Sequence, residues 1–210
     1  MPELPTLLAF AAVAFAMVVT PGPNMIYLVS RSISQGPLAG MISLTGVALA
    51  FVVFMLSASF GITALMLTVP YAYDTLRLAG AAYLGWIAWQ TLKPGGATPF
   101  QVRSLPKDSA RKLFTMGLVT NLLNPKAAVM YLSILPQFIH PEAGSILTQS
   151  LILGMLQITV SFTVNTLIVF TAGGLARFLA TRPTWALVQR WIMGTVLAGF
   201  AVRMATEARR

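Results

Sequence analysis

The sequence predicts an all-α integral membrane protein with six transmembrane helices, arranged as two inverted three-helix repeats with broken first helices. Three observations predict this fold class: long uncharged apolar runs, a proline break in the first run of each half, and basic residues between the runs. The composition agrees. Of the 210 residues, 57% are hydrophobic and 9% are charged, whereas about 25% of the residues in a typical soluble domain are charged.

The apolar runs are long enough to cross a membrane. No charged residue occurs from Ser32 to Tyr73 or from Ala143 to Ala176. About 20 apolar residues span a hydrocarbon core of about 30 Å as a helix, and a helix is needed because lipid cannot satisfy unpaired backbone groups. This pattern predicts six segments, at roughly 5–30, 38–69, 74–92, 113–138, 146–176 and 185–204.

A polar stretch divides the chain into two halves of similar pattern. We predict a first half at residues 1–92, a cytoplasmic linker at 93–112 and a second half at 113–210. In each half a proline interrupts the first segment, and Asn24 and Asn124 lie 100 residues apart beside the two breaks. Because each half contributes an odd number of spans, the halves insert with opposite orientation, as in many transporters with inverted repeats. The alternative is that any six-helix chain can be divided into threes.

The distribution of basic residues predicts the orientation. With the N-terminus outside, nine of the fourteen Lys and Arg residues lie on the cytoplasmic side and four outside, while Lys126 lies within a span. The positive-inside rule favours this arrangement. Arg209 and Arg210 then lie outside, whereas five spans and one re-entrant segment would place them in the cytoplasm. The N-terminus lacks the basic stretch of a signal peptide, so the first segment is interpreted as a retained helix.

Other classes of protein fit the sequence poorly. The net charge of +9 could serve nucleic-acid binding, but the basic residues lie in short segments between apolar runs, where topology signals belong. The chain has no cysteine and one histidine, His140, so we expect no thiol chemistry, no metal site and no cofactor. An intramembrane enzyme needs a nucleophile with a base, or a metal, inside its spans. Lys126 is the only candidate base there.

The first break provides five candidate substrate-binding residues. Proline removes a hydrogen bond from the helical ladder, and broken backbone at membrane depth is tolerated where it is buried or lines a cavity. A matched pair of breaks is therefore a pointer to a substrate site, although a simple kink is the alternative. Gly22 allows a close backbone approach, and Asn24 offers both a donor and an acceptor. The candidates are Thr20, Pro21, Gly22, Pro23 and Asn24.

The second break provides the candidates Asn124, Pro125 and Lys126. Asn124 is predicted to cap a helix that restarts at Pro125, because proline suits the first helical position. Lys126 lies well inside its span, where a cation costs about 2.5–3.5 kcal/mol, and methionine in its place would relieve that cost. A substrate carboxylate is the predicted counter-charge, bound by Lys126 and by the N–H groups of the restarted helix. The alternative is that Lys126 snorkels or faces a water-filled vestibule.

Polar residues also follow one face of the fifth segment. Gln157, Ser161 and Asn165 recur at every fourth position and therefore share a helix face. They either line a transport route or hydrogen-bond to a neighbouring helix. Gln157 and Asn165 are included among the candidate substrate-binding residues. Two small-residue spacings, Gly36–Gly40 and Ser57–Gly61, are more typical of helix packing.

Five motifs of the sequence are similar to those of a known family. They are Thr20–Asn24, Gly36–Gly40, Leu78–Trp86, Gly117–Lys126 and Leu135–Phe138. With them the chain resembles the LysE/RhtB family of amino-acid exporters over essentially its whole length. The resemblance implies a bacterial inner-membrane protein of six segments that uses the proton motive force. The Asn-Pro-Lys form resembles the homoserine/threonine-exporting branch, and Asn121 within this motif joins the candidate substrate-binding residues.

The resemblance implies export of small neutral amino acids or their derivatives from the cytoplasm. The expected partners are the amino acid and the lipid bilayer, without nucleic acid, and a homo-oligomer is left open. A rival hypothesis is an exporter or facilitator of another small anionic metabolite, whereas a purely structural subunit would leave the matched breaks unexplained. One departure concerns energy coupling. Family members often carry an acid shortly after the stretch that here reads Gly46-Val-Ala-Leu-Ala50, where this chain has Phe51.

The orientation yields a first prediction. A cysteine introduced by Ser104→Cys should resist a membrane-impermeant maleimide in intact cells and react in inverted vesicles, because the linker is expected in the cytoplasm. Ala143→Cys, in the predicted outer segment after the fourth span, is the matched control and should show the opposite pattern. The cysteine-free chain makes each label specific. Labelling of Ser104→Cys from outside intact cells would contradict the orientation.

Overall fold

A computed structural model describes residues 2–20, 22–68 and 107–181, with isolated positions between 78 and 93 and between 184 and 206. Outside the described residues lie Pro21, most of the predicted linker 93–112, and most of the predicted segments 74–92 and 185–204. Every regular element in the described ranges is a helix or a helical turn, and no strand occurs there. The all-α class is therefore confirmed for the described part of the chain.

The first half contains three described helices. α1 covers Leu4–Val19, α2 covers Pro23–Gln35 and α3 covers Pro37–Thr68. α1 ends where Thr20 adopts an extended conformation, and the chain bends by 57° before α2 continues from its N-terminal proline. Gly36 separates α2 from α3 with a φ angle of +92°, a left-handed conformation that glycine adopts without steric cost.

The second half also begins with a broken helix. α4 covers Ala110–Leu122 and α5 covers Pro125–Val129. The chain then continues through a π-helical turn at Met130–Ile134 and a 3₁₀ turn at Leu135–Phe138. The bend between α4 and this second helical stretch is 55°, close to the 57° bend between α1 and α2. The two first helices are therefore broken in the same way.

Up to four spans can be recognised among the described residues. α6 covers Ile146–Thr181 after a short turn at Pro141–Ala143. Pro37–Gly61 of α3 and Ile146–Gly174 of α6 are each long and apolar enough to cross a membrane, and each bent pair can form one further span. These four stretches match the first, second, fourth and fifth predicted segments in position, and a bend occurs at the predicted break in the first and fourth of them.

α3 and α4 pack backbone to backbone. Gly46 of α3 lies against the carbonyl oxygen of Phe114 in α4, and Gly117 of α4 lies against the carbonyl oxygen of Ser43 in α3. A side chain at either glycine would overlap those atoms. The two glycines therefore permit the most extensive helix pairing in the described part of the protein.

The two predicted small-residue spacings have different outcomes. Gly40 packs against Ser32 of α2 and Val169 of α6, which agrees with the predicted role in helix packing, whereas an added Cβ at Gly36 would have no described neighbour within 4 Å. At Gly61, an added Cβ would also have no described neighbour within 4 Å. Gly61 therefore makes no close helix contact with the described residues.

The buried core lies between α1, α3, the π-helical turn and α6. Phe10, Leu44, Tyr131 and Leu153 belong to one contiguous apolar cluster and are almost fully buried. Other large apolar side chains, such as Phe60 and Phe170, are more than half exposed. Lipid tails are as apolar as these side chains, so exposure of this kind carries no penalty in a membrane.

Asp108 joins the ends of α2 and α4. Its side chain is 4% exposed and forms ion pairs with Arg31 of α2 and Lys112 of α4, whose Nζ lies 2.6 Å from Oδ1. Gln35 of α2 donates to the carboxylate and accepts a 2.8 Å hydrogen bond from the Asp108 N–H. The hydrogen bonds from Lys112 and Gln35 lower the pKa of Asp108. Since an aspartate with a lowered pKa is ionised at neutral pH, these ion pairs hold the predicted cytoplasmic ends of the two helices together.

The glycine contact between α3 and α4 can be tested by stability. Gly46→Ala should destabilise the protein, because the added methyl group would overlap the Phe114 carbonyl oxygen, and overpacking of this kind costs about 1–3 kcal/mol. Gly173→Ala is the matched control, since a Cβ there meets no described atom within 4 Å and alanine favours a helix. Thermal unfolding in one detergent should give a lower midpoint for Gly46→Ala alone. Equal midpoints for the two variants would contradict the contact.

Candidate substrate site

A cavity lies between the two breaks and α6. It is lined by Ala14, Met17, Val18, Asn24, Met25, Phe51, Asn124, Lys126, Ala127, Met130, Gln157, Ser161 and Asn165. Five of the eleven predicted substrate-binding residues are in this set: Asn24, Asn124, Lys126, Gln157 and Asn165. Three more contact members of the set, namely Thr20, Gly22 and Asn121. Pro23 and Pro125 begin α2 and α5, and Pro21 lies outside the described residues.

The cavity is small. Its volume is about 30 Å³, and one water molecule needs at least about 10–15 Å³ on this measure. The space therefore suits about two water molecules and is too small for an amino acid. An amino acid can therefore occupy the site only if the walls of the cavity move apart.

The Lys126 ammonium group is bound by the broken end of α1. Its Nζ donates to the carbonyl oxygens of Met17 at 2.9 Å and Thr20 at 2.7 Å. The last carbonyl groups of a helix have no intrahelical partner, and they carry a partial negative charge of about half an elementary charge. The C-terminus of α1 therefore supplies part of the counter-charge that the sequence requires for Lys126.

Gly22 makes room for this ammonium group. A Cβ at Gly22 would lie 3.0 Å from Lys126 Nζ and 3.2 Å from its Cε, which is tighter than an ordinary van der Waals contact. The backbone of Gly22 is extended, with φ of −168°, so its conformation does not require glycine. The predicted close approach at Gly22 is therefore confirmed, and its partner is the Lys126 side chain.

The N–H groups of the restarted helix are already engaged. Asn124 caps α5 as predicted: its side-chain oxygen accepts from the Lys126 N–H at 3.1 Å. Its carbonyl oxygen accepts from Ala127 and Ala128, and Pro125 has no N–H to offer. The expectation that these N–H groups bind a carboxylate is therefore wrong for this conformation. At this break, the ammonium group of Lys126 is therefore the remaining described group that can bind a carboxylate.

Asn24 and Asn121 connect three helices. The Asn24 amide nitrogen donates to Asn121 Oδ1, and the Asn121 amide nitrogen donates to the Val47 carbonyl oxygen at 2.9 Å. Asn121 is fully buried. α2, α4 and α3 are therefore linked by a chain of amide hydrogen bonds that ends at the cavity.

The two breaks contact each other crosswise. Gly22 and Asn124 occupy the capping positions of α2 and α5, and proline follows each of them. The next residues, Asn24 and Lys126, reach across to the end of the first helix of the other half, near Asn121 in α4 and near Met17 in α1. Counted from the capping residue of each helix, Asn24 therefore corresponds in position to Lys126. The spacing of 100 residues suggests Asn124 as its counterpart instead.

The polar face of α6 both lines the cavity and forms hydrogen bonds. Gln157, Ser161 and Asn165 are all buried and all belong to the lining. Gln157 accepts from the Tyr131 hydroxyl group and donates to Ser161 Oγ at 2.7 Å, while Asn165 donates to the Ser161 carbonyl oxygen at 2.8 Å. The bond between Tyr131 and Gln157 joins α6 to the π-helical turn, as the hydrogen-bonding alternative predicts, whereas a role of this face in lining a transport route stays a prediction.

Much of the remaining lining, here called the methionine wall, is apolar. It includes Met17, Met25, Phe51 and Met130. Phe51, at the position where an acid is often found, lies 6.3 Å from the Tyr131 ring, measured between ring centroids. The lining contains no carboxylate among its described residues, and no group of three His, Cys, Asp or Glu residues in the described part could hold a metal ion. Sequence reasoning missed this methionine wall, because methionine in a span is unremarkable until its neighbours are known.

Comparison with known proteins identifies the family. The family model described as LysE type translocator matches residues 15–208. The chain belongs to the LysE type translocator family. A leucine efflux protein of Enterobacter sp. (strain 638) is 30% identical over 203 residues, which cover 92% of this chain and 92% of that protein. A leucine efflux protein of Klebsiella pneumoniae subsp. pneumoniae is 27% identical and covers 95% of this chain and 94% of its own length.

A further relative agrees with this assignment. The leucine efflux protein of Salmonella typhimurium is 26% identical over 193 residues, covering 92% of this chain and 91% of its own length. No solved structure matches the chain. Membership of the family makes this protein a multi-pass membrane transporter that exports amino acids, and not an enzyme.

The bonds of Lys126 change the expected effect of methionine at this position. Relief of the insertion cost, about 2.5–3.5 kcal/mol, is now opposed by two carbonyl oxygens left without a donor, at about 1–3 kcal/mol each. At the middle of its range the second cost, about 4 kcal/mol for the two carbonyl groups together, exceeds the relief. We therefore expect the unfolding midpoint of Lys126→Met not to exceed that of the wild type. Lys126→Arg keeps N–H donors for Met17 and Thr20 and should unfold above Lys126→Met. A Lys126→Met protein more stable than both would show that the two bonds contribute little.

Proposed function

We propose that the protein exports neutral amino acids with apolar side chains, with leucine as the reference substrate, from the cytoplasm across the bacterial inner membrane. The observation that carries this proposal is the chemistry of the cavity between the two breaks. One cation, Lys126, and several amides line it together with methionine and phenylalanine side chains. A neutral α-amino acid presents the complementary groups, namely a carboxylate, an ammonium group and an apolar side chain.

Lys126 is the proposed partner of the substrate carboxylate. Its ammonium group has three N–H donors, of which two are directed at the carbonyl oxygens of Met17 and Thr20. The third has no partner among the described residues and can bind a carboxylate. A charge-assisted hydrogen bond is roughly twice as strong as a neutral one. Lys126 is the one charged residue of the described lining. A cationic substrate side chain would therefore find no counter-charge there.

The methionine wall is the proposed subsite for the substrate side chain. Met17, Met25, Phe51 and Met130 offer an apolar surface, and methionine adapts its shape to the group that it contacts. The names of the leucine efflux relatives support this choice of substrate. The homoserine/threonine preference suggested by the resemblance becomes secondary, because the Gln157 amide that could bind a substrate hydroxyl group already bonds to neighbouring side chains.

The proposal includes two inverted halves, at residues 1–92 and 113–210, joined by a cytoplasmic linker at 93–112. The similar bends of 57° and 55° support this arrangement. So do the crosswise contacts, in which Asn24 and Lys126 each reach the first helix of the other half. Movement of one half against the other would open the cavity to the two sides of the membrane in turn, as in other inverted-repeat transporters.

Efflux from preloaded vesicles tests the proposal. We expect leucine to leave fastest, threonine and homoserine more slowly and lysine slowest, because the apolar wall favours leucine and no described lining residue balances a second cation. Lys126→Met should reduce leucine efflux at least about tenfold if a charged hydrogen bond to the carboxylate is lost. The amount of folded protein in the membrane is measured for every variant.

Gly173→Ala is the matched control for this assay, because Gly173 has no close described neighbour and does not belong to the lining. Its leucine efflux should equal that of the wild type. Lysine efflux as fast as leucine efflux would contradict the proposed selectivity. Efflux of a small carboxylate such as lactate without leucine would favour the rival hypothesis of an exporter of anionic metabolites.

A further inference from the structure

One buried acceptor at the cavity has no protein partner. Asn24 is 8% exposed and belongs to the lining. Its Oδ1 atom is buried and has no hydrogen-bond partner among the described residues. Buried polar groups in proteins are nearly always hydrogen-bonded, so an exception requires an explanation. A ligand that enters the cavity and carries a donor would provide one.

The orientation of the Asn24 amide is fixed by its neighbours. The Val47 carbonyl oxygen can only accept, so Asn121 must turn its amide nitrogen toward Val47, at 2.9 Å. Asn121 then presents its oxygen to Asn24, and Asn24 must present its nitrogen in return. An amide has one nitrogen and one oxygen at this end, so the oxygen of Asn24 is necessarily the atom without a partner. This assignment follows from the hydrogen-bond network and excludes a flipped amide.

We infer that Asn24 Oδ1 accepts a hydrogen bond from the α-ammonium group of the substrate, and that Asn121 is the positioning residue that keeps this oxygen available. The inference rests on the proposed function and deepens it. Lys126 would bind the carboxylate and Asn24 the ammonium group. The two charged groups of the amino acid would then be recognised by residues at corresponding positions of the two breaks. The site would thereby distinguish amino acids from carboxylic acids of the same shape.

A neutral acceptor suits this position. A carboxylate at position 24 would attract Lys126 as well as the substrate ammonium group, whereas an amide oxygen accepts a hydrogen bond without adding a charge. A hydrogen bond to a charged group is stronger than a neutral one. Loss of this bond should therefore weaken binding of an amino acid by about ten- to a hundredfold.

Paired ligands test the inference. Leucine and 4-methylpentanoate share the carboxylate and the side chain, but the second lacks the amino group. Binding of each to the purified protein is measured by competition against radiolabelled leucine. Wild-type protein should bind leucine about ten- to a hundredfold more tightly than 4-methylpentanoate. Asn24→Ala should lose most of this preference by weakening leucine binding alone.

Gly173→Ala is the matched control. Gly173 does not belong to the lining, and a Cβ there meets no described atom within 4 Å. The affinity for each ligand, and therefore their ratio, should stay at the wild-type value. A fall in the ratio in Gly173→Ala equal to that in Asn24→Ala would overturn the specific role of Asn24.

Other outcomes separate the inference from the proposed function. Equal binding of both ligands by the wild-type protein would overturn the inference without any variant, which covers the case in which Asn24→Ala fails to fold. An equal loss of affinity for both ligands in Asn24→Ala would show that Oδ1 has a structural role or holds only a water molecule. That result would also overturn the inference. If the wild-type protein binds neither ligand and exports no amino acid, the proposed function fails and the inference fails with it.

Discussion

The hydrogen bonds from Lys126 to the end of α1 are the interaction on which the rest of the site depends. A cation at membrane depth is costly, and α5 begins beside it with a dipole of the wrong sign. The carbonyl oxygens of Met17 and Thr20 offset this cost at 2.9 and 2.7 Å. They are free to do so because the chain leaves the helix at Thr20. The end of α1 at the first break therefore stabilises Lys126, which lies at the second break.

The contact between Asn24 and Asn121 completes this arrangement from the other side. Each broken helix stabilises the end of its counterpart, so neither break can be understood within its own half. The bonds of Lys126 and the bond between Asn24 and Asn121 both involve a residue of the cavity lining. A movement that opens the cavity must therefore change the surroundings of Lys126, of Asn24 or of both. The glycine contact of Gly46 and Gly117 lies beside this region and holds α3 and α4 together.

The cavity combines groups that differ in kind. Lys126 brings a charge, Asn24 brings an unpaired amide oxygen, and the methionine wall brings an adaptable apolar surface. These groups match the three parts of a neutral amino acid, in agreement with a family of amino-acid exporters. Phe51 belongs to the apolar surface in this chain. The position at which the resemblance leads one to expect an acid thus contributes to the apolar lining of the site.

The sequence by itself determined the features that depend on local chemistry: the apolar spans, the two proline breaks and the cap that Asn124 forms on the next turn. These follow from residues within one or two helical turns of each other. The tertiary structure alone decided the partners of Lys126, which lie 109 and 106 residues away, and that of Asn24, 97 residues away. It also corrected the expected role of the α5 N–H groups. Such contacts depend on how the bent helices cross, and no local pattern records that geometry.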